Sequence, residues 1–339
     1  MRPEREDVLV QSIGVIGGGA WGTALAQVVR GGGARVLLWA REAEVVESIN
    51  ARHENAAFLP GVPLDPGLRA TGNLAEIGAC DLALLVAPAQ FLRRVAAELR
   101  PHWNTAKPVV VCAKGFEVGT GQLMTEVAAE ALPGVPLAVL SGPTFAAEVA
   151  RGLPTAITLA CADEALGRRL VERLGQPTFR PYLSADLVGA EVAGAVKNVL
   201  AIACGVVQGR GLGENARAAL ITRGMAEIAR LSLALGGQAE SLMGLAGLGD
   251  LVLTCSSPQS RNMSLGMALG KGRALADILG ERRSVAEGVA TAAAVAELAM
   301  RRGIDMPIVA AVDAILHKGA GIDATIAALL ARPFKTEAV

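Results

Sequence analysis

The sequence predicts an α/β domain on a mostly parallel sheet, followed by an all-α domain. The chain of 339 residues is longer than the roughly 100 to 200 residues of one ordinary domain. From Ser12 to about Tyr182 short apolar runs alternate with longer segments of helical period, the pattern of repeated strand–helix units. After Asp186 strand-like runs stop, and Ala-, Leu- and Gly-rich stretches with helical spacing follow one another. We therefore expect two domains, 12–185 and 186–335.

In chain order, strands are expected at 13–16, 35–39, 82–86, 109–112, 137–140 and 156–159, where β-branched and apolar residues are bounded by Gly, Pro and polar residues. Helices are expected at 188–207, 215–235, 262–269, 291–302 and 308–316. The stretches 1–7 and beyond 332 carry no such pattern and read as unstructured ends.

Charge and composition narrow the function. With 32 basic and 32 acidic residues the formal charge is +0, so no global field attracts a nucleic acid. The apolar excess is broken by Gly, Pro and charge, and no run is long enough for membrane insertion. Cys80, Cys112, Cys161, Cys204 and Cys255 form no Cys-x-x-Cys pair and read as buried reduced thiols. The first eleven residues lack the apolar run of a secretory signal, so a cytoplasmic location is expected. His53, His102 and His317 lie far apart, and no metal site is expected.

The most specific local motif follows the first strand. Gly17-Gly18-Gly19-Ala20-Trp21-Gly22 runs straight into a helical segment, with a second strand beginning at Arg35. In this context Gly17 permits a tight turn, Gly19 lets a pyrophosphate approach the backbone, and Gly22 allows close helix packing. The helix start supplies amide donors and a positive dipole end. These features make the first domain a dinucleotide-binding Rossmann domain. Arg41, at the end of the second strand where an acid would read the ribose of NAD, favours the 2′-phosphate of NADP. Glu42 beside it is the competing occupant.

Two lysines stand where apolar residues are expected. Lys114 ends the 109–112 strand at the rim where ligands of such sheets bind. The next strand ends in Ser141-Gly142-Pro143-Thr144, ahead of a helix from Phe145 to Ala150. Lys197, with Asn198, interrupts a helix that is apolar on nearly every side. Such a helix is buried, so the ammonium needs a partner, a wet cleft or a lowered pKa. Glu191 and Asp250 are the candidate partners. Further on, Gly247-Leu248-Gly249-Asp250 reads as a glycine turn with an acid, and Ser256 to Asn262 as a polar loop capping a helix. Serines, Arg261 and a helix start together can hold a phosphate.

The motifs at 17–22 with Trp21, Ala113-Lys114-Gly115, 141–146, 191–198, 247–250, Ser260-Arg261-Asn262 and Glu287-Gly288 agree in order and spacing with one family. The chain resembles the bacterial NAD(P)-dependent glycerol-3-phosphate dehydrogenases from about Ile13 to Leu316. The resemblance implies reversible reduction of dihydroxyacetone phosphate to sn-glycerol 3-phosphate, a precursor of glycerophospholipids. It implies Lys197 as general acid, Asp250 as the group that sets its charge, and Lys114 as the group that polarises the carbonyl. Gly142 and Thr144 would line the substrate site, and Ser260, Arg261 and Asn262 would hold the phosphate. Ala20, Trp21, Arg41, Phe58, Lys114, Ala146, Arg261, Val285 and Glu287 would touch NADP or NAD. Ala20, Phe58 and Gly18 depart from the more common serine, tyrosine and alanine.

Two other readings compete with this one. Another two-domain reductase, acting on a 3-hydroxy or 2-keto acid, would leave the Ser260–Asn262 segment without a role. A silent dinucleotide sensor would need neither lysine. Apolar faces on the late helices are compatible with a homodimer.

Overall fold

The computed structural model describes residues 10–281, 285–334 and 336. The first domain is built on one eight-stranded sheet. Its strands are β1 (Ser12–Ile16), β2 (Arg35–Trp39), β5 (Arg69–Thr71), β6 (Leu82–Leu85), β7 (Val109–Val111), β8 (Leu137–Ser141), β9 (Thr155–Ala160) and β10 (Phe179–Ser184). A separate hairpin pairs β3 (Glu54–Asn55) with β4 (Leu59–Pro63). The sheet order is β10-β9-β8-β7-β6-β1-β2-β5. All neighbours run parallel except β8 and β9, where the direction reverses.

The six expected strands are present, but the sequence reading missed β3, β4, β5 and β10. Each lacks a sustained apolar run: β3 has two residues, β5 three, β4 contains two prolines, and β10 carries Arg180 and Pro181. Both β5 and β10 lie at sheet edges, where proline and charge are tolerated because only one side needs pairing. The central strands β6 and β7 are buried throughout, and apolar clusters cover the two faces of the sheet. Such burial on both faces explains why these strands read as continuous apolar runs rather than alternating ones.

The second domain is helical and wraps around Leu187–Gly209, a helix capped by the Asp186 carboxylate, which accepts from the Gly189 amide at 2.8 Å. Among the described residues this one helix is long and apolar enough to cross a membrane, and its most apolar stretch is buried inside the protein. Its neighbours pack around an Ala-, Val- and Leu-rich core. Closest is the helix Arg261–Gly270, and the approach is set by glycine. A Cβ on Gly205 would lie 2.1 Å from the Met263 carbonyl, and one on Gly266 would lie 2.0 Å from the Ile202 carbonyl. Side chains at those positions would push the backbones apart. The bare contact therefore holds the start of the Arg261 helix one residue from Lys197, through a 2.9 Å bond from Asn262 Nδ2 to Asn198 Oδ1.

All five cysteines are buried free thiols, as expected. The expected unstructured stretch 1–7 lies outside the described residues, as does most of the chain beyond 334.

Candidate active site

The glycine loop lies between β1 and the helix Ala20–Gly31. Gly17 adopts φ +133° and donates its N–H to the Trp39 carbonyl at 3.0 Å. A Cβ on Gly22 would lie 1.9 Å from the Gly17 carbonyl, so the helix can start this close only with glycine there. At Gly19 the same position faces open space, which leaves its backbone accessible to a phosphate. Asn55, fully buried on the hairpin, locks the loop from behind. Its Nδ2 donates to the Gly18 carbonyl at 2.7 Å and to Thr23 Oγ1 at 2.8 Å. Its Oδ1 accepts from the Phe58 amide at 3.1 Å, which sets Phe58 beside the loop.

Arg41 lies just past β2 with 64% of its side chain exposed, and its Nη2 contacts Glu42 Oε1 at 3.2 Å. Glu42 thus turns toward Arg41 rather than replacing it.

The two lysines meet on one carboxylate. Lys197 Nζ donates to Asp250 Oδ1 at 2.6 Å and to Thr254 Oγ1 at 2.8 Å. Lys114 Nζ donates to Asp250 Oδ2 at 2.7 Å and to the Gly142 carbonyl at 3.0 Å. Asp250 is 1% exposed, and it joins a strand end of the first domain to the central helix of the second. Of the two candidate partners of Lys197, Asp250 is therefore the one observed. Glu191 accepts instead from the amide and hydroxyl of Thr125, and burial raises its carboxyl to about 7.

Burial pushes Lys197 down to about 8; Asp250 pulls it back up, and the charge of Lys114 pushes it down again. Lysine so poised can give or take a proton near neutral pH. Gly194, one turn before Lys197, makes room for Lys114: a Cβ there would lie 2.6 Å from Ser141 Oγ and 3.6 Å from Lys114 Cγ. Thr144 Oγ1 contacts the Gly142 carbonyl at 3.2 Å, and Ala146 opens the short helix Ala146–Ala150.

The expected phosphate residues fall at one helix start. Ser260 caps the Arg261–Gly270 helix by accepting from the Met263 amide at 3.2 Å, and Arg261 is exposed. The Asn262 side chain is occupied at both ends, by Asn198 and by the Gly288 amide at 3.1 Å. The backbone N–H of Asn262 lies in the unsatisfied first turn of that helix.

Glu287 begins the next long helix, and its Oε1 accepts from the Ala89 amide of the first domain at 3.3 Å. Its Oε2 and Trp21 Nε1 are enclosed without partners, while Val285 is 45% exposed. Buried polar atoms of this kind are uncommon unless a ligand or water completes them. Together with the bare flank of Gly19, they fit a dinucleotide.

The sequence reading missed Asn55 and Thr254. Asn55 sits in a polar segment with no periodicity. Thr254 had a usable signal, four residues after Asp250. However, Asp250 was read as part of a turn, whereas a π-helical turn at Leu245–Gly249 leads into the helix Asp250–Ser256. On that helix positions i and i+4 share a face.

Comparison with known proteins agrees with this geometry. Residues 12–167 match the N-terminal model and residues 186–327 the C-terminal model of NAD-dependent glycerol-3-phosphate dehydrogenase. The chain is 60% identical over 328 residues to glycerol-3-phosphate dehydrogenase [NAD(P)+] of Caulobacter vibrioides, covering 97% of this chain and 99% of that protein. It is 62% identical over 330 residues to the enzyme of that name from Rhodospirillum rubrum, covering 97% and 95%. The crystal structure of glycerol-3-phosphate dehydrogenase from Coxiella burnetii superposes with a TM-score of 0.92 at 40% identity, covering 95% of this chain and 99% of that one. By its sheet, its bridged lysines and these matches, the chain belongs to the NAD-dependent glycerol-3-phosphate dehydrogenase family.

Proposed function

We propose that the bridged pair Lys114–Asp250–Lys197 is the reacting end of an NAD(P)H-dependent reductase that converts dihydroxyacetone phosphate to sn-glycerol 3-phosphate, reversibly. The observation that carries the roles is the single buried carboxylate holding both ammonium groups at 2.6 and 2.7 Å.

When bound, the dinucleotide supplies a hydride to the carbonyl carbon of the substrate. Gly17, Gly19 and Gly22 make room for its pyrophosphate at the start of the Ala20–Gly31 helix, with Ala20, Trp21, Phe58, Ala146, Val285 and Glu287 around it. Lys114 polarises the carbonyl as a fixed positive charge. Lys197 Nζ gives its proton to the carbonyl oxygen as charge develops there and is left neutral, to be recharged from solvent. In reverse the neutral amine takes that proton. Asp250 holds Nζ in place. The substrate phosphate is held by Arg261 and by the amides that Ser260 and Asn262 frame, so binding of the non-reacting end orients the carbonyl. Gly142 and Thr144 line the floor.

The test is loss of NADPH absorbance, and separately of NADH absorbance, on adding dihydroxyacetone phosphate, with unphosphorylated dihydroxyacetone as control. Turnover of the phosphorylated ketone alone is expected. Turnover of neither, or of both equally, would overturn the substrate assignment.

We further infer that Arg41 gives preference for NADPH, and that the protein is a cytoplasmic homodimer. Within one chain the helix Ile322–Leu330 packs Ile322 and Ile326 against the core, while Ala324, Ala327, Ala328 and Leu330 stay exposed, Leu330 by 81%. An uncovered apolar face of this kind fits a second copy. Sedimentation velocity giving a monomer at micromolar concentration would refute it.

A further inference from the structure

The reacting end is divided between the two domains. Lys114 and Gly142 lie just past strands β7 and β8 of the first, whereas Lys197 stands on the Leu187–Gly209 helix of the second. That helix meets the first domain through small or apolar residues. Leu187 and Ala190 join the cluster that covers one face of the sheet, and Gly194 abuts Ser141 and the stem of Lys114. Apolar contact has no direction, so such a surface sets the depth of packing but not the position of the helix along its axis. The Asp250 bridge is a loose tie as well, because both of its partners end flexible four-carbon stems.

Glu191 supplies the missing direction. Among the described residues it is the one side chain of that helix bonded to the first domain: Oε1 accepts from the Thr125 amide at 2.9 Å, and Oε2 from the Thr125 hydroxyl. Thr125 lies in the first turn of the helix Met124–Ala131, where amides have no partner within the helix. The N-cap amide, that of Leu123, is already taken by Glu126 Oε2 at 2.8 Å. Glu191 thus caps a first-domain helix from the second domain, with its carboxylate at the positive dipole end. Met124, Val127 and Ala128 seat the capped helix in the same cluster as Val109 and Val111 of β7 and Val139 of β8, the strands that lead to Lys114 and Gly142. On the other side of the contact, Glu191, Gly194 and Lys197 follow one another at intervals of three along the central helix, a spacing that makes neighbours on a helix surface.

The Glu191 side chain is buried and its carboxyl is raised by that burial, so it is held there against its own desolvation. Its bonding partners on Thr125 are neutral. What two directional bonds add to apolar packing is register.

We propose that Glu191 is a positioning residue: by capping the Met124–Ala131 helix across the domain boundary, it holds the Lys197 helix in register with Lys114, so that proton donor and polarising charge converge on one substrate carbonyl. The inference rests on the reading of the bridged lysines as the reacting end. On that reading the phosphate site stays with the second domain and the pyrophosphate loop with the first. A shift between the domains therefore spares both affinities and misplaces the reacting atoms.

The test measures kcat, the KM for dihydroxyacetone phosphate, the Kd for NADPH by fluorescence and the Tm in Glu191→Met, Glu191→Gln, Thr125→Val and the double variant Glu191→Met with Thr125→Val. A misplacement of about 1 Å costs roughly 100-fold, so Glu191→Met is expected to lower kcat about 10- to 100-fold, with KM and Kd within about threefold of wild type. Glutamine still accepts the amide through Oε1 and donates to the hydroxyl through Nε2, so it is expected to recover kcat to within about threefold. Thr125→Val is expected to lower kcat in the same sense and to add less than about twofold to Glu191→Met, because both substitutions open one contact. A kcat for Glu191→Met within about threefold of wild type, a loss carried by KM or Kd instead, or single losses that multiply in the double variant would overturn the proposal and leave Glu191 as a structural cap. Should Glu191→Met not fold, Thr125→Val carries the test by itself: a lowered kcat at unchanged KM supports the role, and an unchanged kcat at lowered Tm overturns it. Wild-type turnover of dihydroxyacetone phosphate reports separately on the reading beneath it.

Discussion

Replacing Asp250 by asparagine keeps the shape of the carboxylate and removes the charge shared by Lys197 and Lys114, at 2.6 and 2.7 Å. Lys197 stands at about 8 because burial lowers its pKa while Asp250 raises it. In Asp250→Asn, burial and the charge of Lys114 both remain, and both oppose protonation. An opposite charge this close changes proton affinity by roughly 10- to 1000-fold. At pH 8 about half of wild-type Lys197 carries its proton. A middle value of about 100-fold leaves roughly 1% protonated, so ketone reduction at that pH should fall about fiftyfold from protonation alone. The loss should shrink as the pH is lowered by about two, where Lys197 recharges. The assay is kcat/KM for NADPH-dependent reduction across the folding-competent pH range, with the reverse oxidation measured alongside. Wild-type reduction should decline through about 8 while oxidation rises, since one needs the ammonium and the other the amine. A decline in Asp250→Asn at the wild-type pH, or at a higher one, would refute the argument that Asp250 sustains the charge of Lys197.

Three further outcomes follow from the same geometry. Lys197→Met should lower turnover by about 100-fold or more while leaving NADPH binding unchanged; a rate within a few-fold of wild type would remove Lys197 from proton transfer. Arg261→Ala should raise the KM for dihydroxyacetone phosphate by roughly 10- to 100-fold, the loss of a charge-assisted bond, and an unaltered KM would place the phosphate elsewhere. Glu227 accepts from the amides of Ile308 and Val309 at 2.6 and 3.1 Å, and burial raises its carboxyl to about 7 against an ordinary 4.5. The folded state therefore holds this proton more tightly than the unfolded one, so its contribution to stability is full below 4.5 and is lost as pH rises through about 7. In Glu227→Gln the Tm should vary less between those limits than in the wild type; an equal slope would show that other groups set it.

Patterns local in sequence revealed much of this protein. The strand, Gly17–Gly22 loop and helix were legible because each needs only neighbours in the chain: a buried run, three glycines and a helix start. Lys114 and Lys197 were legible as anomalies, because charge in an apolar strand end or an all-round apolar helix must be compensated. The residue pattern left open which acid compensates; the resemblance alone pointed to Asp250 before the structure placed it. Asp250 and Glu191 were equal candidates by chemistry, and only the packing of the Asp250–Ser256 helix brings one carboxylate to both lysines while Thr125 takes the other. The same holds for Asn55, whose bonds to Gly18 and Thr23 span 37 and 32 residues. The edge strands β5 and β10 were illegible for a related reason. With one side unpaired they need no continuous apolar signal, and their identity comes from the neighbour they pair with.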